Sequence, residues 1–211
     1  TFEALALEMP QATLIEIGKS DVGRSIHAFV LSEDARNLNH LDSLKRLRSN
    51  QNSKASLLIN NAIHPGEPCG VDASIEWVRS LRANKRLRNE LLTKMDIVII
   101  PMYNVGGALN RNCCTRTNQD GPENYGFRGN ARNLDLNRDF IKMDSRNAQA
   151  FVRLYHAIDP DVFIDTHTSN GADYPFAMTL ITTQSDKAGP IIGPYLKEVM
   201  QPSLFSAMAA L

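Results

Sequence analysis

The chain has 211 residues, 43% hydrophobic and 22% charged, with 23 basic side chains balancing 23 acidic ones. That composition sustains a core and excludes the disordered class, and zero net charge gives no field toward nucleic acid or an anionic membrane. No apolar run approaches the roughly 18 residues of a membrane-spanning helix. Three cysteines, Cys69, Cys113 and Cys114, are too few and odd in number for a disulfide scaffold. The adjacent pair is poorly placed to bridge without strain. The length fits one large domain or part of a larger one, and a start at Thr1 is consistent with processing.

In chain order, Thr13–Ile17 and Arg24–Leu31 are β-rich and flank a turn over Gly18–Gly23, which predicts a hairpin. Asp34–Asn52 is polar with leucines at three-residue spacing and predicts a helix or helical loop. Ala55–Asn60 predicts a short buried strand. Val71 to about Lys94 has helical periodicity, with a break near Asn84. The basic residues from Arg79 to Arg88 fit its solvated face. Asp96–Met102 (DIVIIPM) predicts a second buried strand. Asn104–Asn133 has no apolar period, and a loop of that length is usually functional. Ser145–Ile158 predicts a helix, Val162–Thr166 and Phe176–Thr183 two strands, and Asp186–Leu211 helices interrupted by prolines. Strands alternating with helices after residue 55 predict an α/β fold, a central sheet with helices on both faces. In such sheets, sites gather at the carboxyl ends of strands.

Three segments place polar groups at such ends. In LLINNAIHPGEPCG, His64 and Glu67 follow an apolar strand, and a spacing of three brings both to one side of a tight turn. Imidazole and carboxylate both suit Zn²⁺, and a catalytic zinc takes three protein ligands and leaves a position for water. His167, in IDTHTSNG after another strand, would be the third ligand, with Asp165 orienting it or its water. His27, His40 and His156 have ordinary hairpin, polar-stretch and helix settings. In RGNARNLDLNRDF, Asn137 and Arg138 form a pair suited to a free carboxylate, because the guanidinium fork matches it bidentately.

HPGE, LDLNRDF and IDTHTSNG, in that order, resemble the zinc carboxypeptidase family, the M14 metallopeptidases. The opening ATLIEIGKSDVGRSIHAFVLS also resembles its N-terminal hairpin. The resemblance implies a three-layer sandwich with a mixed sheet, and hydrolysis of a C-terminal peptide bond through a zinc-activated water. It implies one zinc held by His64, Glu67 and His167, with Asn137 and Arg138 holding the C-terminal carboxylate of a peptide or protein substrate. An arginine upstream of that pair would stabilise the oxyanion. Arg128 is the choice, with Arg132, Arg116 and Arg111 as rivals. The resemblance favours secretion or periplasmic export over the cytoplasm.

The family also needs a general-base glutamate and a downstream tyrosine. After His167 the chain has one glutamate, Glu198, in a helix-like stretch, and neither Tyr174 nor Tyr195 matches the tyrosine. The end at SLFSAMAAL is apolar and uncapped. The expectation is one catalytic domain over residues 1–211 that continues beyond them, so that this part binds zinc better than it catalyses. Two other readings are an N-acyl amino acid deacylase of the aspartoacylase and succinylglutamate desuccinylase branch, and a zinc-containing module that captures carboxylates without turnover. The sixty or so residues before His64 favour the peptidase. A cysteine nucleophile at Cys113 or Cys114 lacks a traceable triad.

Overall fold

Helix α1 (Phe2–Glu8) leads into the expected hairpin, β1 (Ala12–Lys19) paired antiparallel with β2 (Ser25–Leu31). Its turn closes through the Gly23 N–H donating to the Ser20 carbonyl at 2.8 Å, with Gly23 at φ 73°. A side chain is strained in that left-handed conformation, so glycine belongs there. These elements belong to a computed structural model that describes residues 1–49, 54–113, 122–169, 174–176 and 178–210. It comprises two units, Thr1–Ala172 and Asp173–Leu211.

In the first unit, the leucine-spaced stretch forms two 3-10 turns, Ala35–Asn37 and Leu41–Leu44, then α2 (Lys45–Ser49); residues 50–52 of that expectation lie outside the described residues. β3 (Ala55–Asn60) matches its expected bounds. α3 (Cys69–Ala83) and α4 (Lys85–Leu92) break at Asn84, whose side chain caps α4 by accepting from the Leu87 N–H at 3.0 Å. Arg88 is not on the solvated face with the other basic residues. It is buried, and its guanidinium donates to the carbonyls of Leu81 and Arg82 at the end of α3. β4 (Met95–Ile100) follows.

The long loop contains α5 (Val105–Leu109) and a two-stranded ribbon of β5 (Arg111–Asn112) and β6 (Tyr125–Gly126). Cys113 is disulfide-bonded, and Cys114 lies outside the described residues. Helix α6 (Arg146–Ile158) starts at the Ser145 cap and ends at Asp159 in a left-handed conformation. β7 (Val162–Asp165) closes the unit's sheet.

The sheet order is β1-β2-β4-β3-β7, with β1/β2 and β2/β4 antiparallel and β4/β3 and β3/β7 parallel. It is the expected mixed sheet. Successive strand side chains point to opposite faces, so Val30, Val98 and Ile100 join Phe151 and Leu154 of α6, while Leu31, Ile97 and Ile99 join Val78 and Leu81 of α3. Helices therefore cover both faces. β3 lies between β4 and β7, so its carboxyl end is flanked by both.

The second unit contains a 3-10 turn at Ser185–Lys187, α7 (Gly189–Tyr195), a π segment at Leu196–Met200 and α8 (Gln201–Ala209). Pro190 and Pro202 occupy first-turn positions, and Pro194 lies inside α7, just before the ladder widens to the π pattern. Phe176–Thr183, expected as a strand, forms none among the described residues. Phe176, Met178, Leu180 and Ile181 are exposed. An apolar run becomes a strand only where a neighbour takes its N–H and C=O groups, and no described strand does so.

Candidate metal centre

The chain leaves β3 through Ala62, at φ 56°. A left-handed alanine costs about 1–2 kcal/mol, and this one is held by the Asn104 N–H donating to its carbonyl at 3.1 Å. The next residues form a tight turn, with the Glu67 N–H donating to the His64 carbonyl at 2.9 Å. Pro65 and Gly66 occupy its corner, and α3 begins at Cys69. The strand end, the left-handed kink and the helix start fix the backbone that carries His64 and Glu67.

His64 is buried, and neither ring nitrogen has a hydrogen-bond partner among the described residues. Leaving a buried polar atom unpaired costs about 1–3 kcal/mol. Burial holds the His64 pKa below its ordinary value, the Arg128 charge lowers it further, and Glu67 opposes both. The imidazole is thus kept neutral, the form in which it ligates metals.

His167 is the more open partner. Its Nδ1 is 3.0 Å from Glu67 Oε2 and its Nε2 is 3.0 Å from Asp165 Oδ2. Asp165 foremost, then Glu67, push its pKa up to about 9, against the opposing effect of burial. Glu67 Oε2 also accepts the Thr168 N–H at 2.9 Å. One ligand atom from each of His64, Glu67 and His167 lies within 4.8 Å of the others. Two imidazoles and one carboxylate form a donor set that catalytic zinc uses with one position left open. With the unpaired buried nitrogens of His64, the cluster fits such an ion.

Neighbouring polar groups lock the cluster to the sheet. Asn60, at the end of β3, donates from Nδ2 to Asp165 Oδ1 at 3.0 Å. Thr166 Oγ1 donates to Asn61 Oδ1 at 2.9 Å, and Asn61 Nδ2 donates to Ser74 Oγ on α3 at 2.9 Å. Thr166 also packs on Gly70, where an added Cβ would overlap it.

Arg128 pairs with Asp135, its Nε and Nη2 lying 3.1 and 3.0 Å from Asp135 Oδ2. Asn137 and Arg138 lie on a 3-10 turn, Leu136–Arg138, capped by Asp135 Oδ1 accepting from the Asn137 N–H at 3.0 Å. The exposed Arg138 donates to the Asn137 carbonyl at 2.9 Å. The structure therefore brings His64, Glu67 and His167 together and places Arg128 where its charge acts on His64. Among the described residues, no hydrogen bond or ion pair joins Asn137 or Arg138 to His64 or His167. Of the rival arginines, Arg132 bonds to the Asp144 carbonyl, Arg111 is exposed on β5, and Arg116 lies outside the described residues. Glu198, Tyr174 and Tyr195 are exposed.

Sequence reasoning assigned no role to Asp135, Asn60 or Thr166. The signal for Asp135 was present in LDLNRDF, an acid two residues before the Asn-Arg pair. Asn60 and Asn61 were legible only as two amides ending an apolar strand.

Fold and cluster together define an α/β protein with a candidate metal centre on the carboxyl rim of its sheet. The chain belongs to the zinc carboxypeptidase family, Peptidase M14, which matches it over residues 1–176. It is 26% identical over 149 residues to carboxypeptidase 2 of Trichophyton tonsurans, covering 71% of this chain and 23% of that protein. Among solved structures, it resembles a metallo-carboxypeptidase from Burkholderia cenocepacia with a TM-score of 0.61 and 22% identity, over 82% of this chain and 40% of that one. It also resembles a metallo-carboxypeptidase from Pseudomonas aeruginosa with a TM-score of 0.59 and 19% identity, over 81% of this chain and 39% of that one. At these identities the structural likeness shows the fold. The chain spans about a quarter of the curated relatives' length, 23% for the one above.

Proposed function

We propose that this chain carries the zinc centre of a metallocarboxypeptidase that hydrolyses the C-terminal bond of a peptide or protein. The supporting observation is His64, a buried imidazole with both nitrogens unpaired among the described residues, facing Glu67 and His167. In this reading His64, Glu67 and His167 hold one zinc, and residues 1–211 belong to one catalytic domain. Zinc, when bound, supplies a Lewis acid and brings the pKa of a water near neutrality. Asp165 holds the Nε2–H of His167, which leaves Nδ1 for the ion. Arg128, aimed by Asp135, offers the donors of Nη1 to a developing oxyanion. Asn137 and Arg138 hold the substrate's terminal carboxylate through neutral and charge-assisted hydrogen bonds.

The family match includes the hairpin that precedes His64. That supports the peptidase over the deacylase. The test is elemental analysis of protein purified without added metal, beside His64→Ala. The expected result is about one zinc per chain, lost in the variant. No zinc even after incubation with excess metal would overturn the reading. Assaying peptides beside N-acyl amino acids on the zinc-loaded protein then separates the two substrate classes.

A further inference from the structure

Asp21 lies in the hairpin turn, far in sequence from the centre, yet its side chain is only 5% exposed. Its Oδ2 accepts from Asn130 Nδ2 at 2.8 Å. Its Oδ1 lies 3.4 Å from the Arg146 N–H, in the first turn of α6, and 3.8 Å from Arg132 Nη1. The carboxylate thus ties the hairpin, the start of α6 and the loop between β6 and α6 at one point.

Asn130 is the hub of that loop. It is buried, and its Oδ1 accepts the N–H groups of Arg132 and Leu134 at 2.9 and 3.0 Å. Its own N–H donates to the Leu134 carbonyl at 2.9 Å, and its carbonyl accepts the Asn133 N–H at 2.9 Å, with Asn133 at φ 58°. The loop is therefore closed on itself, and Arg128 and Asp135 leave its two ends as an ion pair. The amide of Asn130 cannot turn to seek another acceptor without releasing the N–H groups that its oxygen holds. Asp21 supplies the acceptor that keeps it in place.

We propose that Asp21 is a positioning residue for Arg128 and Asp135, acting through Asn130. Its consequence for catalysis rests on the proposed role of Arg128 at the oxyanion; the brace itself does not. It assigns the turn of the N-terminal hairpin a part in aiming the arginine, beyond its part in the sheet.

The test reads the Arg128 Nε–H proton by nuclear magnetic resonance in the whole chain, assigned by its loss in Arg128→Lys. In Asp21→Ala its hydrogen exchange should be at least about tenfold faster, because a part-buried hydrogen bond that holds the loop shut is lost. Asp21→Asn keeps an acceptor for Asn130 and should restore most of the protection. Ile17→Val, a packing change in the same hairpin, should leave the proton unmoved. Asp21→Ser, whose shorter side chain falls short of Asn130, repeats the measurement if the alanine variant does not fold. Wild-type exchange in Asp21→Ala, or equal acceleration in Ile17→Val, would overturn the brace. Measurable peptide hydrolysis by the zinc-loaded wild-type protein that Arg128→Lys leaves unchanged would overturn the catalytic reading of Arg128 and leave the brace standing.

Discussion

Gly70→Ala sets two effects of opposite sign against each other. Gly70 is the second residue of α3, and alanine is better than glycine inside a helix by about 1 kcal/mol. Propensity alone therefore predicts a more stable protein. The added methyl, however, would overlap the hydroxyl, Cβ and methyl of Thr166. Thr166 cannot swing aside freely, because its hydroxyl donates to Asn61 Oδ1 at 2.9 Å and lies 3.3 Å from the Asn60 carbonyl. Overpacking against a fixed side chain costs about 1–3 kcal/mol, and one lost hydrogen bond adds about 1 kcal/mol. The contact outweighs the propensity, and the net loss should be about 1–3 kcal/mol. Thr166 directly precedes His167, so displacing it should also weaken zinc binding by roughly 10–100-fold, as other disturbances of ligand orientation do. Urea unfolding reads the first effect and competition with a chromogenic chelator the second. A Gly70→Ala protein at least as stable as wild type, with unchanged zinc affinity, would refute the reasoning.

Asp165→Asn removes the carboxylate that faces His167 Nε2, and chelator competition should show zinc affinity falling about 10–100-fold. For Asp139, burial pushes the pKa up. The Ser145 hydroxyl at 2.5 Å and two backbone N–H groups at 2.9 Å outweigh it and hold the carboxyl below its usual range. Its folded pKa is lower than its unfolded one. Its stabilisation is thus complete above the unfolded value of about 3.9 and is lost as pH falls through the folded value. Asp139→Asn should cost about 1–3 kcal/mol near neutrality, and its urea midpoint should converge on wild type in acid. Phe151→Ala, at a ring packed on Tyr103, Phe140, Tyr155 and Phe163, should cost about 3–5 kcal/mol by the same unfolding assay.

The hairpin, β3, the break at Asn84 and α6 were legible because each depends on local signals. These are alternation, an apolar run bounded by polar residues, a capping amide, and a serine before a helical period. The clustering of His64, Glu67 and His167 was legible because they follow apolar strands whose carboxyl ends converge. What could not be read depends on partners distant in sequence. The apolar pattern of Phe176–Thr183 says strand, but a pattern supplies no ladder. Arg88 looks like its basic neighbours, and only the meeting of α3 with α4 buries it. The closeness of Gly70 to Thr166, and of Asp21 to Asn130, arises from packing between elements and leaves no period in either segment.

The polar groups around the centre contribute more to geometry than to stability. Asn60, Asn61, Ser74, Thr166 and Asp165 form links between β3, α3 and the end of β7. Each such bond is worth only about 1 kcal/mol net, less than a well-buried aliphatic side chain contributes at about 1.5–3 kcal/mol. Apolar side chains at these positions could hold the elements together, but they would not fix where an imidazole points, because apolar contact is not directional. Hydrogen bonds are directional, and a buried donor that loses its acceptor is costly in a low-dielectric interior. The rim therefore has few acceptable arrangements. The two cores on either face of the sheet hold the strands together, and the amides and hydroxyls at the strand ends restrict them to an arrangement in which His64, Glu67 and His167 face one point.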